Sequence, residues 1–179
     1  MPKTLEQCAQ IKNWDLNELL VELAEDRKKL LKARDQRIRP SKDDKVLVSW
    51  NGLMIDTMAK AAGILSEPRY LEAAERAADF LLTNLRDKDG RLLHSWRNGT
   101  AKLAAYLDDY ACLANALVTL YEVSFQERWI SQSAKLIDVV LEHFRDPDLG
   151  GFYFTADDHE PLITRTKDFH DSSVPIAWF

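Results

Sequence analysis

Two adjacent carboxylates followed by a tyrosine, Asp108-Asp109-Tyr110, are the residues of this sequence best suited to acid–base chemistry. They stand near the start of a nearly uncharged apolar segment, which predicts the first turn of a buried helix. If that turn borders a cavity, burial and the neighbouring charge raise the pKa of one carboxyl group and leave a general acid beside a general base. Alternatively, both carboxylates complement the positive end of the helix and cap its free N–H groups. Asp108 and Asp109 are therefore candidate catalytic residues, with capping as the alternative.

A second polar cluster precedes the first apolar helix of the sequence. Asp43 and Asp44 are suited to bind the hydroxyl groups of a sugar, and Trp50 offers a flat face on which the sugar ring can stack. The alternative is a local ion pair in which Lys45 neutralises the aspartates and closes the loop. Asn51 suits a helix entrance, because a short acceptor side chain serves the unpaired N–H groups there. Trp50 and Asn51 remain candidates for either role.

The histidines and cysteines predict neither a metal nor a disulfide. His94, His143 and His159 show no ligand spacing with a carboxylate or a cysteine, so we expect no metal site and no cofactor. Cys8 and Cys112 lie far apart in unlike surroundings, which argues against a disulfide framework. This pattern is typical of a reducing compartment and predicts a cytoplasmic location.

Length and composition fit one ordinary domain with its own core. The chain has 179 residues, of which 46% are hydrophobic, and this is enough to bury a core. Its 24 basic and 29 acidic residues are spread along the chain, so no basic face is expected for a nucleic-acid backbone. No apolar run approaches the roughly 20 residues that span a bilayer. Neither nucleic acid nor a membrane is therefore an expected partner.

Hydrophobic periodicity predicts a mostly helical chain that follows an irregular lead-in over Met1–Asn13. Two segments, Trp50–Leu65 and Ala105–Val123, carry almost no charge and predict helices that are covered on most sides. The remaining predicted elements are three amphipathic helices and two short strands. They are Leu16–Gln36, Ser66–Arg86, Glu127–Arg145, Arg91–Trp96 and Phe152–Thr155.

The helical part of the chain repeats with a period of 59 residues. This offset aligns Tyr70 with Trp129 and Asp87 with Asp146. Each unit holds a buried helix, an amphipathic helix, an acidic turn with glycine and a short extended piece, the pattern of stacked helical hairpins. Because charge-poor and charge-rich helices alternate, we predict an all-α fold in which stacked hairpins form part of an α/α toroid. The charge-poor helices form its inner wall, and short β pieces lie in the connecting loops.

The sequence contains six distinctive motifs, Arg37–Pro40, Asp43–Leu47, Trp50–Ile55, Leu107–Ala111, Gly150–Thr155 and Arg165–Asp168. They resemble the family of large thioredoxin-domain proteins that includes the bacterial YyaL-like proteins and an animal spermatogenesis-associated protein. The resemblance covers most of the chain, from about Thr4 to Pro175. The resemblance implies a thioredoxin-like domain followed by an α/α toroid similar to six-hairpin glycosidases and N-acylglucosamine 2-epimerases. Since no Cys-x-x-Cys occurs, we expect the thioredoxin-like domain to be absent and residues 1–179 to form a single partial toroid domain.

The resemblance implies a carbohydrate-active or carbohydrate-binding domain, with a sugar epimerase- or glycosidase-like activity only in the full-length protein. The alternative is a non-catalytic scaffold whose cavity is vestigial. Tyr110 is an expected substrate-binding residue, and the family places the segment with Arg165, His170 and Asp171 near the cavity. The expected partners are a carbohydrate ligand, the remainder of the full-length chain and, through uncovered apolar faces, a second copy of this chain.

Overall fold

The computed structural model describes residues 3–160 and 162–167 of the chain. The chain divides into two units, Met1–Asp43 and Asp44–Phe179. The first unit contains α1 (Leu5–Lys12) and α2 (Leu16–Asp35). The second unit contains β1 (Val46–Leu47), α3 (Val48–Leu65), α4 (Pro68–Asn84), β2 (Leu93–Arg97), β3 (Thr100–Ala104), α5 (Leu107–Ser124) and α6 (Glu127–His143).

The two helices of the first unit begin at side-chain caps. At the start of α1, Thr4 N donates to the Gln7 side chain at 3.0 Å, and Gln7 N donates to Thr4 Oγ1 at 3.3 Å. Asp15 caps α2 by accepting two backbone N–H bonds. The prediction of α2 is correct to within one residue, whereas the irregular lead-in over Met1–Asn13 is wrong. The two bonds between Thr4 and Gln7 form a capping box that stabilises α1. This helix is too short and too polar to show a hydrophobic period in the sequence.

The second unit confirms the predicted repeat of helical hairpins. Helices α3 and α5 are both 18 residues long, and α4 and α6 are both 17. The 59-residue offset carries Val48 onto Leu107 and Pro68 onto Glu127, so the helix boundaries repeat without a shift. Each hairpin ends in an isolated β-bridge, Arg86 to Leu92 in the first and Arg145 to Phe152 in the second. The second bridge is all that forms of the strand expected over 152–155.

Burial separates the inner helices from the outer helices as the sequence predicts. Ten residues of α5 and six of α3 are buried, against three of α4 and four of α6. Helix α5 packs against α3 and α6, and α3 packs against α4. The all-α architecture of stacked hairpins with a small sheet is thereby confirmed. The largest fully buried side chains include Ile55, Leu81, Tyr110, Leu113, Leu117, Leu120, Trp129, Leu136 and Phe144.

Helices α3 and α5 approach each other closely at Gly52. A Cβ atom at this position would lie 2.7 Å from the carbonyl carbon of Cys112 and 2.9 Å from Leu113 N. The expectation that Asn51 stands at the helix entrance is wrong, because α3 already begins at Val48. The Asn51 side chain instead donates from Nδ2 to Leu47 O at 2.7 Å. Glycine at position 52 therefore serves helix packing.

A three-stranded antiparallel sheet in the order β1-β2-β3 covers one end of the hairpins. Strands β2 and β3 join through Asn98 and Gly99, whose φ angles of 50° and 79° fit the tight turn of a two-residue hairpin. Trp96 on β2 packs edge-on against Phe80 of α4, with ring centroids 5.2 Å apart. The sequence predicts β2 but not β3. The described part of the chain contains no helix long and apolar enough to cross a membrane.

Candidate active site

The carboxylate of Asp109 is fully buried and joins three elements of the second unit. Its Oδ1 accepts a hydrogen bond from Ser49 N in the first turn of α3, at 2.9 Å. Its Oδ2 accepts from Tyr106 N at 3.0 Å and lies 2.8 Å from Nδ1 of His94 on β2. Asp109 therefore caps two helices and orients an imidazole ring at the same time.

His94 is the titratable base that Asp109 holds. The hydrogen bond that Asp109 accepts from His94, together with the charges of Asp109 and Asp108, raises the pKa of His94 against the opposing effect of burial. The ring packs edge-on against Tyr106 at a centroid distance of 5.1 Å. Because Nδ1 is engaged with a carboxylate, Nε2 is the nitrogen that can exchange a proton with a ligand.

Asp108 is the acid of this group. Its side chain is half-buried, and Oδ1 accepts a hydrogen bond from Asp109 N at 3.0 Å. Burial, and next the charge of Asp109, raises the pKa of Asp108 to about 6 from its ordinary value of 3.8. A carboxyl group with this pKa holds its proton closer to neutral pH than an exposed aspartate does. The first turn of α5 thus carries a carboxyl group with a raised pKa whose charge interacts with that of His94.

Tyr106, whose ring contacts His94, belongs to a small cluster of rings. Tyr106 stacks on Phe154 with centroids 5.0 Å apart and an angle of 11° between the planes. His159 lies tilted on the same ring at 5.8 Å. Its Nδ1 is buried and has no hydrogen-bond partner within residues 3–160 and 162–167. The site therefore combines titratable groups with a half-buried aromatic surface, which is the composition of a small-ligand site.

Two predicted binding residues lie at the same end of the helices as Asp108. Trp50 and Asn51 directly follow Ser49, whose N–H group donates to Asp109. Trp50 is 62% exposed, so its indole is accessible as a stacking face. Asn51 is partly buried, and its amide N–H group is committed to the helix backbone.

Asp44, in the loop before α3, makes an ion pair with the sheet. Asp44 pairs with Arg97 of β2, with Oδ1 2.5 Å from Nε. Asp43 belongs to the first unit. Of the predicted sugar-binding carboxylates, that of Asp44 is therefore in an ion pair on the sheet, with Oδ1 bonded to Arg97.

Tyr110 and Arg165 hold the fold together. Tyr110 is buried, and its hydroxyl accepts from Leu92 N at 3.0 Å and from Arg91 Nε at 3.4 Å. Arg165 donates to Thr155 O from Nε at 3.1 Å and from Nη2 at 2.6 Å. These bonds tie loops to the hairpins. The predicted site residues His170 and Asp171 lie outside the described residues.

His94, Tyr106 and His159 are site residues that the sequence analysis does not select. The available signal is the Asn98-Gly99 turn, which is typical of a two-residue β-hairpin. A second strand after that turn folds the chain back and brings His94 beside the start of α5, where Leu93 pairs with Ala104. Without β3, the sequence separation of 15 between His94 and Asp109 is not a recognisable ligand spacing.

A second histidine–carboxylate group lies at the end of α6. Ligand atoms of His143, Asp157 and Asp158 lie within 4.8 Å of one another. His143 Nδ1 is 2.9 Å from Asp157, and Asp158 binds the guanidinium of Arg91 through both oxygens at 2.8 and 3.1 Å. Because an ion pair already neutralises Asp158, we assign no metal to this group.

The repeated hairpins define the second unit as part of an α/α toroid, and solved structures share the fold. Cellobiose 2-epimerase from Spirochaeta thermophila DSM 6192 matches with a TM-score of 0.57 and 25% identity, over 69% of this chain and 32% of that chain. A D-mannose isomerase matches with a TM-score of 0.58 and 20% identity, over 63% and 31% of the two chains. A family 105 glycoside hydrolase from C. acetobutylicum ATCC 824 matches with a TM-score of 0.53 and 18% identity, over 80% and 49%.

In sequence, the chain is similar to spermatogenesis-associated protein 20. The human protein is 31% identical over 159 residues, which is 83% of this chain and 20% of the relative. An uncharacterized protein of Caenorhabditis elegans is 29% identical over 182 residues, which is 97% of this chain and 25% of the relative. No protein-family model matches the chain. The chain thus spans a fifth to a quarter of these relatives, and the resemblance to their family and to the α/α toroids is confirmed.

Proposed function

We propose that the chain is a carbohydrate-binding toroid domain in which Asp108 and His94 exchange protons with a sugar. The observation that supports this is the contrast between neighbouring carboxyl groups. Asp108 is half-buried with its pKa raised to about 6, whereas Asp109 is fully buried and bonded to three donors. A carboxyl group with a raised pKa and an imidazole held by a second carboxylate can supply an acid and a base to one site.

The bonds of Asp109 favour proton transfer at carbon over glycoside hydrolysis. A hydrolase with paired carboxylates needs the second one free to act as nucleophile or to activate water. Both oxygens of Asp109 are occupied, and the side chain is 0% exposed. His94 is the remaining base, and Asp108 is a proton donor beside it. We therefore assign an epimerase- or isomerase-type reaction, in which one group removes a proton from the sugar and the other protonates it.

Two aromatic surfaces support a sugar as the ligand. Trp50 is exposed in the first turn of α3, and Tyr106 stacks on Phe154 next to His94. Flat apolar rings beside a few fixed polar groups match the C–H faces and hydroxyl groups of a pyranose. The names of the epimerase and isomerase neighbours agree with this assignment.

The experiment is solvent exchange in D₂O with a panel of mono- and disaccharides, followed by proton NMR. The protein is expected to bind at least one sugar and to replace one carbon-bound proton by deuterium. Asp108→Asn and His94→Gln are expected to abolish exchange. The matched control Asp138→Asn changes an exposed carboxylate on α6 and should keep it. Release of a monosaccharide without deuterium uptake would overturn the reaction type, and exchange that survives both site variants would overturn the assigned residues.

A non-catalytic scaffold is the second candidate, and the multiple bonds of Asp109 favour it. A carboxylate that links α3, α5 and β2 has a sufficient structural reason to be present. The same experiment separates the two functions, since a scaffold binds no sugar from the panel and exchanges no proton.

A further inference from the structure

The outer face of the three-stranded sheet gathers basic and hydroxyl side chains. Ser95 pairs with Lys102, and Arg97 pairs with Thr100, across β2 and β3. Because successive side chains of a strand point to opposite faces, these four residues share one face of the sheet. Trp96 lies on the other face, where it packs against Phe80.

This face forms a cleft of about 320 Å³. Three of its lining residues are cations, although the chain as a whole carries a net charge of −5. The other three offer two hydroxyl groups and one amide. The lining residues are Lys45, Ser95, Arg97, Asn98, Thr100 and Lys102.

The charges of the cleft are only partly compensated by carboxylates. Asp44 neutralises Arg97, with a distance of 2.5 Å between Oδ1 and Nε. Lys102 forms no ion pair within residues 3–160 and 162–167. An ammonium group next to a guanidinium and a hydroxyl attracts an anion, and the walls of a cleft strengthen that attraction.

We propose that this cleft binds a phosphate group. Arginine offers a planar fork of N–H donors and lysine a point charge, and both match phosphate oxygens. Thr100 can donate to a remaining oxygen through its hydroxyl group. The volume of 320 Å³ lies at the lower end of the range of small-ligand pockets, about 300 to 1,000 Å³. The ligand is therefore inorganic phosphate or the phosphate ester of a small molecule.

The phosphate site is separate from the candidate active site. His94 and Ser95 are adjacent on β2 and so lie on opposite faces of the sheet. His94 contacts Asp109 on the helix side, and Ser95 lines the cleft. The phosphate proposal can therefore be tested independently of the proposed sugar reaction.

The test is an amide NMR titration of the 179-residue chain with inorganic phosphate and with glucose 6-phosphate. Glucose and sodium chloride at matched ionic strength are the reference titrations. Saturable shifts confined to the hairpin around residues 95–102 are expected with the phosphates alone. Tighter binding of glucose 6-phosphate identifies an ester as the ligand class, and equal or weaker binding identifies the free anion. Shifts that do not saturate, or that chloride reproduces, overturn the proposal.

Charge variants separate a specific site from general screening. Lys102→Gln is expected to weaken phosphate binding about tenfold, since it removes a charge-assisted hydrogen bond. Lys135→Gln removes a charge from another exposed lysine, on α6, and should leave the affinity unchanged. Thr100→Val tests the hydroxyl at constant charge and is expected to weaken binding by a smaller factor. Equal losses in Lys102→Gln and Lys135→Gln would show that only net charge matters and would refute the site.

Discussion

His94 Nδ1 lies 2.8 Å from Asp109 Oδ2, and the other oxygen of the same carboxylate receives Ser49 N at 2.9 Å. One buried side chain therefore fixes the base of the candidate site and the start of an inner helix. The stability of the hairpins and the orientation of His94 depend on the same group, so a change at Asp109 affects both.

Asp109→Asn is expected to destabilise the chain by about 2–4 kcal/mol. An asparagine presents an N–H group to one of the three donors that now meet carboxylate oxygens. Replacement of a purely catalytic Asp109 would leave the melting temperature almost unchanged, whereas these buried bonds predict a loss of stability. Urea denaturation measures the effect, with Asp138→Asn as an exposed control expected within about 0.5 kcal/mol of the parent. A stable Asp109→Asn chain that has lost ligand binding would contradict the capping role.

Asp108 is expected to make stability fall as pH rises from about 4 to about 6. Its pKa is raised from 3.8 to about 6 in the folded chain, so the folded state binds the proton more tightly than the unfolded state does. The associated stability is present at low pH and is lost as the pH passes through the folded pKa. Asp108→Asn removes this loss and should stabilise the chain at pH 7 by on the order of 1 kcal/mol, allowing for solvent screening.

Denaturation curves between about pH 4 and pH 7 test the Asp108 prediction. His94 also has a raised pKa, and its contribution is present at low pH and is lost as pH rises through its folded pKa, above its ordinary value of 6.5. A His94→Gln chain should therefore keep the acidic part of the decline. If stability still falls between about pH 4 and about pH 6 in Asp108→Asn, the fall is due to the titration of another group.

Gly52→Ala is expected to destabilise the chain by about 2–3 kcal/mol or to separate α3 from α5. The new Cβ would lie 2.7 and 2.9 Å from backbone atoms of Cys112, and backbone cannot move aside as a side chain can. Gly63→Ala on the same helix is the matched control. Its Cβ would meet only the Val123 side chain, at 3.8 Å. Because alanine favours helix over glycine by up to about 1 kcal/mol, the control should be neutral or stabilising in thermal melts.

The architecture follows from the sequence because its signals are local and repeated. A charge-poor helix followed by an amphipathic helix occurs twice, and the shared 59-residue offset indicates stacked hairpins before any contact is known. The site depends on long-range contacts that no local pattern reports. Asp109 contacts Ser49 at a sequence separation of 60 residues, and Gly52 contacts Cys112 at a similar sequence separation. Two adjacent aspartates indicate where the candidate site lies. The role of Asp108 and of Asp109 depends on which side chains and backbone groups each one contacts.

The exposed face of α3 predicts self-association of the chain. Met54 and Ile64 are 56% and 81% exposed, and their ten-residue spacing places them about 80° apart around the helix axis. Leu65 beside them is 58% exposed. Exposed apolar side chains drive association in water, and a second copy of the same helix is the expected partner.

Sedimentation equilibrium of the 179-residue chain over a range of concentrations tests this prediction. The parent chain is expected to show a reversible dimer. Met54→Lys combined with Ile64→Lys should shift it to monomer, because two like charges on each copy would be buried against each other. Leu149→Lys is the matched control, since Leu149 is 88% exposed in a loop outside α3 and should leave the dimer intact. A parent chain that stays monomeric at all concentrations, with a high and cooperative melting transition, would show that the α3 face needs no partner.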